Sequence, residues 1–354
     1  MTDPLLLSLA SASAQRLAVV GLAKNTGKTV ALNALLRELE AVGRTVGVTS
    51  VGRDGEERDV IDAHIEKPLV RLAAGSIVAS THGLLRASGL AHELLSRTGV
   101  RTPLGEVAIA RLREPGTIEV AGPSAAVDVR EAADAMLSFG AEQVLIDGAV
   151  DRRAASSPEV SDALVMATGA VLSGDIEEVV ARTRDAVELV RLPTVEERLA
   201  LGELAQDARS HSLLLDGDGG YVQLPERFVL TAQEADVAEA LVERSGLLVA
   251  GALPEAFVRH AAVASRRTRR EFTLVVGDPT RVFLSEHGPE HYRRQGVRIE
   301  TLRPIDLRAL TVNPVAPRSH SFDSARLRAL LAEQIAGVAV LDVMDPEYGK
   351  LAIR

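Results

Sequence analysis

The sequence predicts an α/β fold: a mostly parallel sheet with helices on its faces, then a second, smaller α/β domain. Strand-like and helix-like segments alternate along the first half, the pattern of a parallel sheet with crossover helices. The chain is 46% hydrophobic but only 3% aromatic, with no Trp. Its core must therefore be built from Leu, Val, Ile and Ala, as buried parallel sheets usually are. A length of 354 residues suits two domains or one large one. The predicted division is 1–195 and 196–354.

The elements follow in order. Leu17 to Gly21 reads as a short apolar strand. A helix is predicted from Lys28 to Val42, with Leu32, Leu35, Leu36 and Leu39 at helical spacing and Gly43 as its C-cap. Thr45 to Val51 is the second strand. Lys67 to Ser80 is apolar and β-branched, and Leu84 to Arg97 reads as helix. Glu106 to Leu112 and Thr117 to Ala121 read as strands joined by the turn Arg113 to Gly116. Val127 to Phe139 is helical, Gln143 to Asp147 is a buried strand ending on a carboxylate, and Ala163 to Thr168 is another strand. A helix from Asp175 to Val190 closes the series at Pro193. The charged, Ala-rich stretch to Ser210 is predicted to link the domains. Strand-like segments resume at 212–215, 247–250, 272–276, 298–302, 310–312 and 338–343.

The segment Gly21-Leu-Ala-Lys-Asn-Thr-Gly27-Lys28-Thr29 lies between the first strand and its helix. Small residues let backbone N–H groups converge on a phosphate chain, and the following helix adds its positive end. Gly21 and Gly27 permit the sharp turns, and Lys24, Asn25 and Thr26 complete the loop between them. Lys28 is expected to reach the β- and γ-phosphates of a nucleoside triphosphate, and the Thr29 hydroxyl to ligate Mg²⁺. No Asn-Lys-x-Asp guanine-reading motif occurs, which favours ATP over GTP.

A metal and water side is also legible. Val144 to Asp147 is a hydrophobic strand ending in Asp, as expected of a carboxylate that holds Mg²⁺ through water. Gly148 would let the backbone approach the γ-phosphate. The second strand runs into Arg53, Asp54 and Asp59. Asp54 is the first choice, and Asp59 the second, to orient the attacking water or join the metal shell. Arg53 could neutralise phosphate charge. Asp151-Arg152-Arg153 stands where a γ-phosphate switch segment belongs. For Asp147 the alternative is an ordinary strand end, and for Arg53, Asp54 and Asp59 it is an ordinary charged, solvated loop.

The loop has five residues between its glycines where the standard pattern has four, with Leu22 in the usual place of the first Gly. At nine residues it resembles the loop of dethiobiotin synthetase and its relatives, a class that includes the cell-division and arsenite-pump ATPases. In part of that class a signature lysine reaches across a dimer. Its place is taken here by Ala23, one position before Lys24. Lys24 is therefore expected to contact its own phosphates or solvent, and a homodimer stays an open alternative.

Other chemistry is thin. There is no Cys, which excludes disulfides and thiolate catalysis by the chain and fits a reducing compartment. Net charge is -9 with no long basic run, and the best candidate, Arg266 to Arg270, is short and reads as a solvated helix end, so no nucleic-acid partner is expected. Pro4 to Ala14 lacks the positive start of a signal peptide and reads as a leader helix packed on the domain. No apolar run approaches the roughly 20 residues of a membrane helix. The expectation is a cytoplasmic protein with no membrane partner. His287 and His291 are four apart, but Gly288-Pro289 separates them and no third ligand is evident. His64 and His82 fall in the predicted nucleotide domain; structural roles are expected, with a place near substrate as the alternative.

Several segments in order carry a further resemblance. They are Gly21 to Thr29, Thr49-Ser-Val-Gly-Arg-Asp-Gly-Glu56, Thr102-Pro-Leu-Gly-Glu106 and Ala121-Gly-Pro-Ser124, then Ile146-Asp-Gly-Ala-Val-Asp-Arg152, Ala167-Thr-Gly-Ala170 and Thr311-Val-Asn-Pro314. Together they resemble the smaller, P-loop subunit of the lysine 5,6-aminomutase reactivase family. The resemblance implies ATP-driven release of damaged cobalamin from an adenosylcobalamin-dependent aminomutase. It also implies a larger partner subunit similar to mismatch-repair ATPases. Two other readings stand beside it: a small-molecule ligase of the dethiobiotin synthetase type, and a nucleotide-gated scaffold without catalysis.

Overall fold

A computed structural model describes residues 6–10, 13–52, 69–149, 153–196, 198–208, 211–216, 220–242, 244, 246–317, 319–346 and 348. The chain forms two compact units, Met1–Thr183 with Asp306–Arg354, and Arg184–Ile305.

In the first unit the chain runs α1 (Leu6–Ala10), β1 (Arg16–Gly21), α2 (Lys28–Ala41), β2 (Val46–Ser50), β3 (Val70–Leu72), β4 (Ile77–Thr81) and α3 (His82–Ala87). It continues through β5 (His92–Thr102), β6 (Gly105–Leu112), β7 (Gly116–Ile118), α4 (Ala126–Ser138), β8 (Gln143–Ala149) and β9 (Ala163–Gly169), and the division between the units falls within α5 (Ile176–Val190). The second unit adds α6 (Arg198–Ala208), β10 (Leu213–Leu215), β11 (Tyr221–Gln223), α7 (Phe228–Thr231), α8 (Glu234–Leu241) and β12 (Gly246–Leu248). Then come β13 (Leu253–Pro254), α9 (Glu255–Thr268), β14 (Phe272–Val276), β15 (Val282–Phe283), α10 (Pro289–Arg293) and β16 (Val297–Thr301). The chain ends in the first unit with β17 (Leu307–Asn313), α11 (Ser324–Gln334) and β18 (Ala339–Leu341).

The expected mixed α/β architecture with a large, mostly parallel sheet is present. Nine strands lie in the order β18-β17-β9-β1-β8-β2-β4-β6-β5. Every pairing from β18 to β4 is parallel, and β6 runs antiparallel to both β4 and β5. The central strands are buried along their length, which is why they read as unbroken apolar runs. Helix α2 places Leu32, Leu35 and Leu39, all fully buried, in one core with Leu17, Val19, Leu145 and Val165. Each such burial stabilises the fold by about 2 kcal/mol. Helix α1 packs as the leader helix was expected to, with Leu6 and Leu7 in that core.

Three expectations need correction. The division at 195/196 is wrong, because β17 pairs with β9 and β18 with β17, which returns the C-terminal residues to the first sheet. The segments predicted as strands of a second domain at 310–312 and 338–343 belong there. The helix predicted over Leu84 to Arg97 stops at Ala87, and β5 begins at His92. Partial burial and exposure alternate from Ser96 to Thr102, the period of two of a strand with one face to solvent, and β5 lies at the edge of the sheet. Finally, β6 and β7 do not form a hairpin with each other: β6 pairs with β4 and β5, whereas β7 pairs with β3.

The second unit holds a five-stranded sheet in the order β11-β10-β12-β14-β16. Here β12, β14 and β16 are parallel and β10 is antiparallel to β12. Its core includes Phe257, Phe272, Leu274 and Tyr292.

Candidate functional site

The nine-residue loop leaves the C-terminal end of β1, between β9 and β8. In open α/β sheets ligands gather at such ends. Its backbone is fixed from both sides. Leu22 N–H donates to the Ala167 carbonyl at 2.9 Å, tying the loop's start to β9. The buried Thr26 hydroxyl donates to the Ala23 carbonyl at 2.9 Å, closing the loop on itself. Asn25 and Gly27 have φ of 67° and 87°, a left-handed conformation that Asn tolerates and Gly prefers. A Cβ on Gly21 would stand 2.5 Å from Thr26 Oγ1. The two glycines are thus required where the sequence predicted. Gly27 is also the N-cap of α2 and has no side chain with which to cap the first turn. The N–H groups of that turn, beside Lys28, form a place that favours an anion.

Lys28 opens α2, and its Nζ lies 2.7 Å from Asp147 Oδ1 on β8. Both side chains are mostly shielded, at 25% and 19% exposure, so the pair is stronger than a surface ion pair. Thr29 follows in the same turn, half-buried. Lys24 lies on the exposed part of the loop. The predicted Lys28, Thr29 and Asp147 therefore fall on adjacent strand ends and one helix turn.

Beyond Asp147, the end of β2 is stitched to β8 and to the segment before α4. Val51 N–H donates to the Asp147 carbonyl at 2.9 Å, and Gly52 N–H to the Pro123 carbonyl at 2.7 Å. Gly122 N–H donates to Ser50 Oγ at 3.0 Å. Gly148 has a reason other than the one predicted: a Cβ there would lie 2.4 Å from the Cβ of Ala155. Arg53, Asp54, Asp59, His64, Asp151 and Arg152 lie outside the described residues, as does the side chain of Arg153.

One residue of the loop's surroundings escaped assignment from sequence. Asn313, at the end of β17, donates from Nδ2 to the Asn25 carbonyl at 2.9 Å. It lies 288 positions away along the chain, and only the sheet order reveals the contact.

The remaining candidates lie elsewhere. The His287 and His291 rings stack at 3.8 Å between centroids, in the second unit. Among the described residues no three His, Cys, Asp or Glu side chains gather as a metal cage. His82 opens α3 and is half-buried. The basic run closes α9: Arg267 pairs with Glu234 at 2.7 Å, and Arg270 donates to the Val242 carbonyl at 2.9 Å. A recess lined by Arg37, Arg44 and Arg71 lies at the opposite, N-terminal edge of β2 and β4. Among the described residues no helix is long and apolar enough to cross a membrane.

No family model matches the chain, and no curated protein matches it. Among solved structures, one titled as pNOB8 ParA bound to nonspecific DNA aligns over 91% of this chain and 96% of that one. The identity is 13% and the TM-score 0.24, a likeness too low to carry an inference of fold or function.

Proposed function

We propose that this chain binds and hydrolyses Mg·ATP, and that hydrolysis serves to reactivate an adenosylcobalamin-dependent aminomutase. The observation that carries the first half is the Lys28–Asp147 pair set on the turn that follows Gly27.

The residues fit that ligand. A triphosphate would meet the positive end of α2 and Lys28, which would exchange its carboxylate partner for phosphate oxygens. Mg²⁺ prefers oxygen ligands and keeps several waters, so the Thr29 hydroxyl and Asp147 carboxylate suffice as the protein's share. The metal, when bound, neutralises charge on the phosphate oxygens. Asp54 is the proposed water-orienting residue on sequence grounds alone. The dethiobiotin synthetase-like class remains a proposal supported by loop length.

The second half rests on the ordered series of segments from Gly21 to Pro314 that resembles the smaller reactivase subunit. A tightly held dead cofactor leaves slowly, and an ATP-driven shift in the aminomutase's conformational equilibrium would speed its exit. The proposed partners are that aminomutase and a larger subunit similar to mismatch-repair ATPases. The test combines the chain, its partner subunit and a cobalamin-inactivated aminomutase in Mg·ATP. Recovery of mutase activity that requires ATP supports the reading; no recovery sinks it.

Loop length alone also favours a small-molecule ligase of the dethiobiotin synthetase type. ADP release that requires a carboxylic acid substrate, with no need for a protein partner, would select that reading instead.

A further inference from the structure

We propose that Asn313 is a positioning residue of the phosphate loop, holding one of its peptide groups in the orientation that phosphate binding requires. The proposal rests on the nucleotide reading above and deepens it.

Asn25 is the only loop residue besides Gly27 with a left-handed backbone, at φ 67°. A non-glycine residue there is held against an intrinsic cost of about 1 kcal/mol. The Asn313 Nδ2 hydrogen bond of 2.9 Å to the Asn25 carbonyl turns that carbonyl toward β17. A trans peptide points its C=O and the next N–H to opposite sides. Fixing the Asn25 carbonyl therefore directs the Thr26 N–H away from β17. If this peptide flipped, a carbonyl oxygen would replace an N–H donor in the loop and repel phosphate.

Asn313 is itself locked. Its Oδ1 accepts the Val315 N–H at 3.1 Å, which assigns the amide's orientation and leaves Nδ2 to face the loop. Its backbone pairs with Gly169 across β9 and β17, and a Cβ on Gly169 would come within 2.2 Å of the Asn313 carbonyl oxygen. On the loop side its Cβ lies 3.0 Å from where a Gly27 Cβ would stand. The side chain must accept from Val315 and donate to Asn25 at once, which an amide does and an ionised carboxylate does not.

This gives a pH-dependent test. In Asn313→Asp the ionised carboxylate faces the Asn25 carbonyl, two acceptors in contact. Once protonated, the same side chain can donate. The experiment measures Mg·ATP and Mg·ADP affinity of the full chain by calorimetry, for wild type, N313D and N313A, at pH 8 and at pH 4, near the ordinary aspartate pKa of about 3.9. At pH 8 N313A is expected to bind about fivefold more weakly than wild type, the worth of one hydrogen bond, and N313D about tenfold more weakly, because a repulsive contact is added. At pH 4 the gap between N313D and wild type is expected to narrow, whereas that of N313A stays. Wild-type affinity in N313D at both pH values, or a gap equal at both, overturns the assignment. If wild type itself binds neither nucleotide, the nucleotide reading fails first. The isosteric N313D serves even if N313A does not fold.

Discussion

Lys28 Nζ and Asp147 Oδ1 lie 2.7 Å apart because β1 and β8 are neighbours in register, with Val19 opposite Asp147. Nothing local brings them together; the parallel pairing of two strands does, and the loop then turns Lys28 back over the strand end. The pair sets a half-buried cation and anion against each other. Before nucleotide binds, the pair holds Lys28 over β8, from where it can pass to the phosphates.

The first prediction separates the two partners. Lys28→Ala is expected to abolish measurable Mg·ATP affinity, because it removes the principal side-chain charge facing the phosphates. Asp147→Asn is expected to retain most nucleotide binding but lose about 100-fold or more in turnover, the usual cost of removing one group from charge stabilisation at a transition state. Phosphate release and calorimetric titration distinguish the two. Equal turnover in D147N and wild type would remove Asp147 from the site.

Gly27→Ala supplies a second, independent check on the loop. The substitution forces a Cβ into a left-handed position at φ 87° and to 3.0 Å from Asn313 Cβ. The intrinsic backbone cost is about 1–2 kcal/mol. The expected result is a small fall in thermal stability with complete loss of nucleotide binding, since the loop relaxes by abandoning its binding conformation. Unchanged affinity would show that the loop is not the phosphate site.

How much of this was legible in the chain depends on the range of the contact. The loop and α2 are local patterns, and their periodicity and glycine placement read correctly; the strand expected to end on Asp147 is there as β8 but runs on to Ala149. The course of residues 84–97 did not, because a helical apolar spacing overlapped a period-two pattern that only the pairing with β6 decides. The division into domains failed for the same reason. No local signal says that β17 rejoins a sheet left more than a hundred residues earlier, and that return also delivers Asn313 to the loop.

A third prediction concerns the buried carboxylate on the loop's own helix. Glu38 of α2 is 8% exposed and accepts the Leu7 N–H at 2.7 Å and the Tyr348 hydroxyl at 2.5 Å. Tyr348 in turn accepts the Leu6 N–H at 3.0 Å. Burial, then the bond to Glu38, raises the Tyr348 hydroxyl well above its usual pKa, so it remains a donor throughout the working pH range. Tyr348→Phe keeps the ring but leaves both Glu38 and Leu6 short of a partner. The expected destabilisation is about 1–3 kcal/mol, read from denaturant midpoints, with no change in nucleotide affinity. A midpoint equal to wild type would mean that the three groups find other partners.

The last prediction is a pH dependence confined to the second unit. Glu255 opens α9 and is 6% exposed. Burial pushes its pKa up. Hydrogen bonds from the Ser285 N–H, the Tyr292 hydroxyl, the Glu286 N–H and the Ser285 hydroxyl outweigh it, holding the carboxyl at about 2 against an ordinary 4.5. The backbone of residues 285–287 is thereby fastened to the start of α9, with bonds of 2.7 to 3.1 Å. Because the folded value lies below the unfolded one, the carboxylate's contribution is complete above about pH 4.5 and disappears as pH falls toward 2. The depression corresponds to about 3 kcal/mol. Hydrogen exchange at amides 285–287 is expected to rise relative to the first unit as pH drops through that window, once intrinsic exchange rates are accounted for. In Glu255→Gln the same amides are expected to be less protected at neutral pH and to lose little further protection on acidification. Equal acid sensitivity in E255Q and wild type would assign the effect to other carboxylates.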